Sequence, residues 1–309
     1  MTFIRNGLKR LLETALVASG GAARARRHRS ENVMILAYHN IVPAGSHAVG
    51  DRSLHLPQRE FAAQLDRLQQ THDVITLNEA LNSSRGVSPV SDRPRAAITF
   101  DDGYAGTLTV GVKELIARGM PATVFVTPSF LDGGSFWWDT YADPVTGLDS
   151  TLRQKALSDS RGLAPAVDVL ASDRKLRKHE LPAFARGAST SELHAALEYE
   201  HFTIAAHTWS HPNLATLPDV KLAMELTRPL EWLRQFRIRA LPMVSYPYGL
   251  SDARVQNAAR DAGYTAGFLI DGGWTSTPPQ DLFAIPRLNI PSGVSRHGFV
   301  LRTAGLIKR

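Results

Sequence analysis

Two short stretches of the 309-residue chain carry side chains that could share a reaction. In the first, Ile98-Thr99-Phe100-Asp101-Asp102-Gly103-Tyr104, an apolar run ends in two adjacent carboxylates and a glycine. Neighbouring side chains on a strand point to opposite faces, so both acids can reach one site only where the strand gives way to a turn. Gly103 suits such a turn because it tolerates backbone conformations that other residues resist. Two acids at the end of a buried strand are costly unless they are paired or bind a cation. In the second stretch, His207-Thr208-Trp209-Ser210-His211, two imidazoles lie four residues apart. On one helical turn such a pair faces the same side and can converge on one ion. Two histidines and a carboxylate with an open position form a catalytic zinc arrangement, and Asp102 is the natural third ligand. A spaced histidine pair alone is better explained as structural. Its conjunction with Asp101-Asp102-Gly103 at another strand end turns the balance toward a metal.

The elements that would position these residues alternate. Strands are expected at 33–38, 74–77, 95–100, 122–126, 203–206, 241–246, 265–270 and 283–290, and helices at 58–69, 107–118, 219–235 and 251–262, from the apolar periodicities. Thr76 or Asn78 could cap a small helix around Glu79–Leu81, and residues 83–94 read as a linker. Residues 132–198 break the rhythm as a mostly helical insertion that opens on Phe136-Trp137-Trp138-Asp139. Repeated βα units predict an α/β fold and an irregular barrel, in which catalytic groups stand at the carboxyl ends of strands. His39, Asp101, Asp102, His207, Tyr248 and Asp271 all fall at such ends.

Hydrophobic residues are 43% of the chain and charged residues 21%, an ordinary globular balance. The net charge of +6 is concentrated in a basic leader, residues 1–30, ahead of a single domain over 31–309. Charges are mixed elsewhere, which argues against a nucleic-acid binder. With no cysteine, disulfides, thiolate nucleophiles and Cys-type zinc sites are excluded. No apolar run approaches the roughly 20 residues that span a bilayer. Phe3, Ile4, Leu8, Leu11, Leu12 and Leu16 recur at helical spacing beside Arg5, Lys9 and Arg10, so the leader could lie as an amphipathic helix on an anionic membrane. A helix docked on the core is the plainer alternative.

Thr99–Tyr104, His207–His211 and Tyr246-Pro247-Tyr248-Gly249, in that order, resemble three motifs of the polysaccharide deacetylases with a NodB-homology domain. The resemblance implies an irregular (β/α) barrel, a divalent metal (zinc first, with Co2+, Ni2+ or Mn2+ as alternatives) and removal of acetyl groups from sugars. It implies Asp101 as catalytic base, Asp102, His207 and His211 as metal ligands, and Tyr248 as the residue whose backbone N–H holds the oxyanion. Pro247 would shape the groove wall and Thr208 support the site by hydrogen bonding. Two departures stand out. The arginine that opens the usual third motif is replaced by Val244 and Ser245, with Arg287 as a stand-in or a merely structural residue. The late Leu-x-His motif is missing, whereas Leu36-Ala37-Tyr38-His39 ends in a similar way near the front. This resembles the circularly permuted exopolysaccharide deacetylases and makes His39 the expected general acid, with His55 as competitor. Asp271 could orient that histidine or close the acetyl pocket, or simply sit in a turn. The Trp137-Trp138 pair could stack on a sugar or pack inside the insertion.

The expected enzyme is therefore a metal-dependent N-deacetylase of a bacterial polysaccharide, oligosaccharide or lipid-linked glycan, cytoplasmic or at the inner membrane surface. The alternatives are an O-acetyl esterase and a non-catalytic sugar-binding relative.

Overall fold

Alternation along the strands divides the chain's apolar residues between two clusters. Val33, Ile35, Ala97, Phe125, Ala205, Met243, Phe268 and Ile285 form one, and Met34, Leu36, Ile98, Phe100, Val124, Ile204 and Val244 join the other with residues of the surrounding helices. Burial of both faces is the mark of a parallel sheet covered by helices, open or closed into a barrel. The computed structural model describes residues 2–29, 32–82 and 93–307. Seven parallel strands form the barrel: β1 (Asn32–Tyr38), β2 (Arg95–Phe100), β3 (Ala122–Val126), β4 (Phe202–Ala206), β5 (Ala240–Ser245), β6 (Ala266–Gly272) and β7 (Ile285–Asn289). Each pairs with the next, and β1 closes the ring by pairing with both β2 and β7. The irregular (β/α) barrel expected from the sequence is what forms.

Two short strands are wedged into the ring. Trp274–Ser276 runs antiparallel to the opening residues of β1, and Asp73–Val74 lies parallel to the start of β2. The strand expected at 74–77 is thus shorter. The chain turns at Thr76, whose hydroxyl accepts from the Glu79 N–H while the Glu79 carboxylate accepts from the Thr76 N–H. This reciprocal cap starts the helix Leu77–Asn82 early. Leu77, Ala80 and Leu81 of that helix pack on the inner apolar cluster and plug the barrel's base. Burying each Leu or Phe in these clusters is worth about 1.5–3 kcal/mol, so the base is a packed floor and the polar residues are confined to the other end. Most of the 83–94 linker lies outside the described residues.

The insertion is largely helical. Its helices Trp137–Thr140, Ser150–Ser158 and Ala164–Asp173 enclose a separate core in which Tyr104, Phe130, Phe136, Trp137 and Trp138 meet Leu152 and Val167. The later helix Thr190–Leu197, started by a Ser189/Glu192 capping box, packs on the barrel itself. At the N-terminus, α1 (Thr2–Ala18) and α2 (Gly21–Arg27) pack against the C-terminal helix Arg296–Thr303 through Val17, Ala22, Val300 and Leu301. The side chains of Phe3, Ile4, Arg5, Leu8 and Lys9 lie outside the described set. Among the described residues, no helix is long and apolar enough to cross a membrane.

Candidate active site

Above the apolar floor, the inward positions near the carboxyl ends turn polar. β2 delivers Thr99 and Asp101, β5 delivers Ser245, and β7 delivers Arg287, which is fully buried. Arg287 donates from Nη1 to Asp101 Oδ1 at 2.8 Å and from Nη2 to Asp101 Oδ2 at 2.7 Å. Its remaining donors reach Leu269 O (2.8 Å), Thr99 Oγ1 (3.1 Å) and Ser245 Oγ (2.7 Å), and its guanidinium lies 5.3 Å from the Phe125 ring centroid. Burial raises the Asp101 pKa, but the Arg287 cation and His207 overcome it, so the carboxyl ends below its ordinary value. The question left open for Arg287 is thereby answered: it is the partner of Asp101, reached from a different strand than the usual motif would use.

Beyond Asp101 the strand breaks sharply. Asp102 has φ 73° and Gly103 φ 82°, so the turn that lets two adjacent acids share one end of the barrel is left-handed at both residues. That conformation is costly for a non-glycine residue. Val126 Cγ1 would be 3.3 Å from a Cβ at position 103, which leaves little room for anything but glycine. The second stretch differs from expectation. Residues 207–211 form no helical turn; they run as a loop after β4, left-handed at Thr208 (φ 62°) and His211 (φ 59°). The loop is held by His211 N–H donating to Thr208 Oγ1 (3.1 Å) and by Glu225, whose carboxylate accepts from the Trp209 and Ser210 N–H groups at 3.0 and 2.8 Å. Thr208 thus supports the site as expected, whereas Glu225, seated on a distant helix, gave no local signal in the sequence.

Asp102, His207 and His211 bring their ligand atoms within 4.8 Å of one another, and all three are buried. His207 Nδ1 lies 2.8 Å from Ser245 O, an atom that only accepts, so its proton sits on Nδ1 and the Nε2 lone pair faces the cluster. That Nε2 is 3.0 Å from His211 Nε2 and 3.4 Å from Asp102 Oδ1, and His211 Nε2 is 3.2 Å from the same oxygen. Lone-pair donors crowded this closely repel unless a cation or a shared proton lies among them, and two imidazoles with a carboxylate suit a divalent ion. The residues present fit the metal that the sequence leads one to expect.

A cavity of about 270 Å3 opens over this cluster, lined by His39, Asp101, Asp102, Trp138, His207, His211, Tyr248 and Asn289, with Arg153 and Leu157 from the insertion. His39 follows β1 and stands partly exposed in the cavity. Burial lowers its pKa, and Asp102 and Asp101 only partly offset this. His55 is elsewhere: it is fully buried, bonded to Asn40 (2.9 Å) and Asp139 (2.9 Å), and absent from the cavity wall. Asp139 also accepts from the Tyr104 hydroxyl at 2.7 Å, and that hydroxyl accepts from Trp138 Nε1 at 2.8 Å. The tryptophans are packed rather than open, each 3% exposed, but the Trp138 ring lies 4.7 Å from that of His211 and walls the cavity. Pro247 opens the turn Pro247–Gly249, in which Tyr248 has φ 59°. Asp271 is exposed near the end of β6 and lines a different cavity from the one that holds His39.

Comparison with known proteins places this geometry. Residues 88–267, more than half the chain, match the family model described as "Polysaccharide deacetylase". The "Putative polysaccharide deacetylase YxkH" of Bacillus subtilis (strain 168) is 23% identical over 267 residues, covering 86% of this chain and 74% of that one. The structure of IcaB from Ammonifex degensii superposes with a TM-score of 0.59 at 17% identity, covering 91% of this chain and 99% of that one. That of the Streptococcus pyogenes deacetylase PplD in complex with acetate gives 0.58 at 16% identity, covering 88% and 98%. The barrel, the motifs at its carboxyl end and the family match agree: the chain belongs to the polysaccharide deacetylase family.

Proposed function

We propose that the protein is a metal-dependent N-deacetylase acting on a sugar of a bacterial polysaccharide, oligosaccharide or lipid-linked glycan. The observation that carries this reading is that an Arg-paired carboxylate, a three-ligand metal cluster and an imidazole line one cavity of about 270 Å3. A divalent ion held by Asp102, His207 and His211, zinc first, would supply Lewis acidity toward the acetamide carbonyl and acidify a water beside it. Asp101, kept ionised by Arg287, takes the proton of that water as it attacks the carbonyl carbon. The backbone N–H of Tyr248, carried on the turn after β5, is assigned to the oxyanion that develops. His39 then gives a proton to the sugar nitrogen as the carbon–nitrogen bond breaks, which yields acetate and a free amine. Its lowered pKa makes the imidazolium a stronger donor while reducing the fraction protonated. The insertion, through Trp138, Arg153 and Leu157, supplies the wall that the sugar meets. The acceptor fits a setting at the inner membrane surface, reached from the cytoplasm, because of the basic leader.

The test is acetate release from N-acetylglucosamine oligomers by the zinc-loaded protein, by a chelated sample and by Asp101→Asn and His207→Ala. Metal-dependent release that both substitutions abolish is expected. Release only from an O-acetylated sugar would make the protein an esterase. Tight sugar binding with no release from either substrate would make it a binding protein.

A further inference from the structure

Helix α1 is mounted with its apolar side outward. Its contacts with the body run along one line: Glu13, 6% exposed, accepts from the Ser295 hydroxyl, Thr14 bonds His297 at 3.0 Å, and Val17 packs on the C-terminal helix. Leu11, Leu12 and Leu16 lie away from that line and are 69%, 58% and 49% exposed. At about 100° per residue the three leucines span an arc of about 140°, roughly opposite Glu13 and Val17. An ordinary surface helix buries its leucines and shows its acids to water; this one does the reverse. The helix does dock on the body, as the plainer alternative had it, but through Glu13, Thr14 and Val17 and not through these leucines.

We propose that this outward face docks on an anionic lipid bilayer. The charge pattern selects that occupant. Over residues 2–27 the cations are Arg5, Lys9, Arg10, Arg24, Arg26 and Arg27, and the sole acid, Glu13, is turned inward. Arg24 and Arg27 are exposed on α2, and Arg10 is exposed on the Val17 side of α1, where it lines a cavity with Glu60. A second copy of the chain covering the same leucines would bring two sets of cations together with no exposed acid in either leader to offset them. A bilayer rich in acidic headgroups offers apolar depth for the leucines and negative charge for the arginines at once. The surface extends the functional reading, since it would hold the barrel where a membrane-linked glycan is presented, but it is measured without any deacetylase assay.

The experiment is sedimentation of the full chain with vesicles of phosphatidylglycerol and phosphatidylcholine, against phosphatidylcholine alone, at low and high salt. Binding to the anionic vesicles only, weakened by salt, is expected. The triple substitution Leu11→Gln, Leu12→Gln and Leu16→Gln should weaken it by roughly a hundredfold. Arg24→Gln with Arg27→Gln should weaken it by roughly thirtyfold. Unchanged thermal melting and unchanged circular dichroism of each variant would show that the barrel is intact. Absence of binding to anionic vesicles, or equal binding by the triple variant, overturns the proposal. So does light scattering in which the wild type is a dimer and the triple variant a monomer, because a second copy would then be the occupant.

Discussion

Removing Arg287 should expose how far the site depends on one ion pair. The guanidinium and the Asp101 carboxylate are joined by two bonds of 2.7–2.8 Å, with side chains 0% and 3% exposed. In Arg287→Met the carboxylate keeps no cation in contact; His207 Nε2 is 4.0 Å away and belongs to the metal cluster. Breaking a buried pair by removing one partner costs about 3–5 kcal/mol, because the other charge is left uncompensated. Asp101→Asn strands the arginine in turn, although Leu269 O, Thr99 Oγ1 and Ser245 Oγ still accept from it, so its cost should fall at the low end of that range. The double variant buries neither charge. Its destabilisation should therefore be smaller than the sum of the singles by about 3 kcal/mol, within the range seen for close charge pairs. The assay is urea unfolding followed by circular dichroism, with chelator in excess so that metal binding does not add to stability. Arg287→Lys keeps the charge but cannot form the fork, and should fall between wild type and Arg287→Met. Additivity of the two single variants within about 0.5 kcal/mol would refute the reasoning, since uncoupled sites behave in that way.

The roles of the adjacent carboxylates should separate in metal calorimetry: Asp102→Ala loses the high-affinity ion, whereas Asp101→Asn keeps it and loses acetate release. His39→Ala should lower kcat by about 10²–10⁴-fold with stability little changed, as for loss of a general acid. His55→Ala should instead lower stability by about 1–3 kcal/mol, since Asp139 and Asn40 lose a buried partner; a large loss of kcat in folded His55→Ala would return it to candidacy as the acid. His72 gives a pH test away from the site. Burial, with Arg26, Arg93 and Arg67 nearby, pushes its imidazole from 6.5 down to about 3. The unfolded chain then takes up the proton first as pH falls, so stability is lost from about pH 6.5 downward and continues to fall toward the folded value. Between pH 7.5 and 5 the loss is about 2 kcal/mol, and His72→Gln should remove that part of the slope in urea titrations at the two pH values.

How much of this was legible in the sequence depended on whether the signal was local. The barrel's strands and their buried character follow from the apolar runs that each strand carries within itself, and the barrel from the repetition of βα units. What alternation cannot show is where a short strand wedges between two others. Trp274–Ser276 was unforeseen because three residues set no period, and the strand expected at 74–77 was cut short by the cap at Thr76, whose hydroxyl competes for the backbone. The reading of His207 and His211 as one helical turn failed for a related reason. Spacing of four is compatible with a turn of helix, but also with a loop that turns back through left-handed residues, and non-glycine residues at such positions leave no mark in composition.

The residues that tune the site were legible only in retrospect, because their partners lie far away in sequence. Arg287 and Asp101 are 186 residues apart, and His55 and Asp139 are 84 apart. Yet Arg287 carried a clue. A charged side chain inside an apolar strand that also supplies Ile285 and Leu288 to buried clusters must meet an opposite charge, and Asp101 and Asp271 were the acids at strand ends not needed as metal ligands. The same reasoning disposes of His55. Lying next to Leu56 in a segment that pairs with Asn40–Val42, it is drawn into the wall behind the cavity, where Asp139 of the insertion satisfies it. The insertion therefore reaches the Asp102–His207–His211 cluster by two routes: directly, with Trp138 against His211, and through the bonds from Asp139 by way of Tyr104 that hold that indole in place. A substitution at Asp139 should consequently disturb the cavity wall without touching any ligand, which makes the insertion part of the site's construction and not an appendage to the barrel.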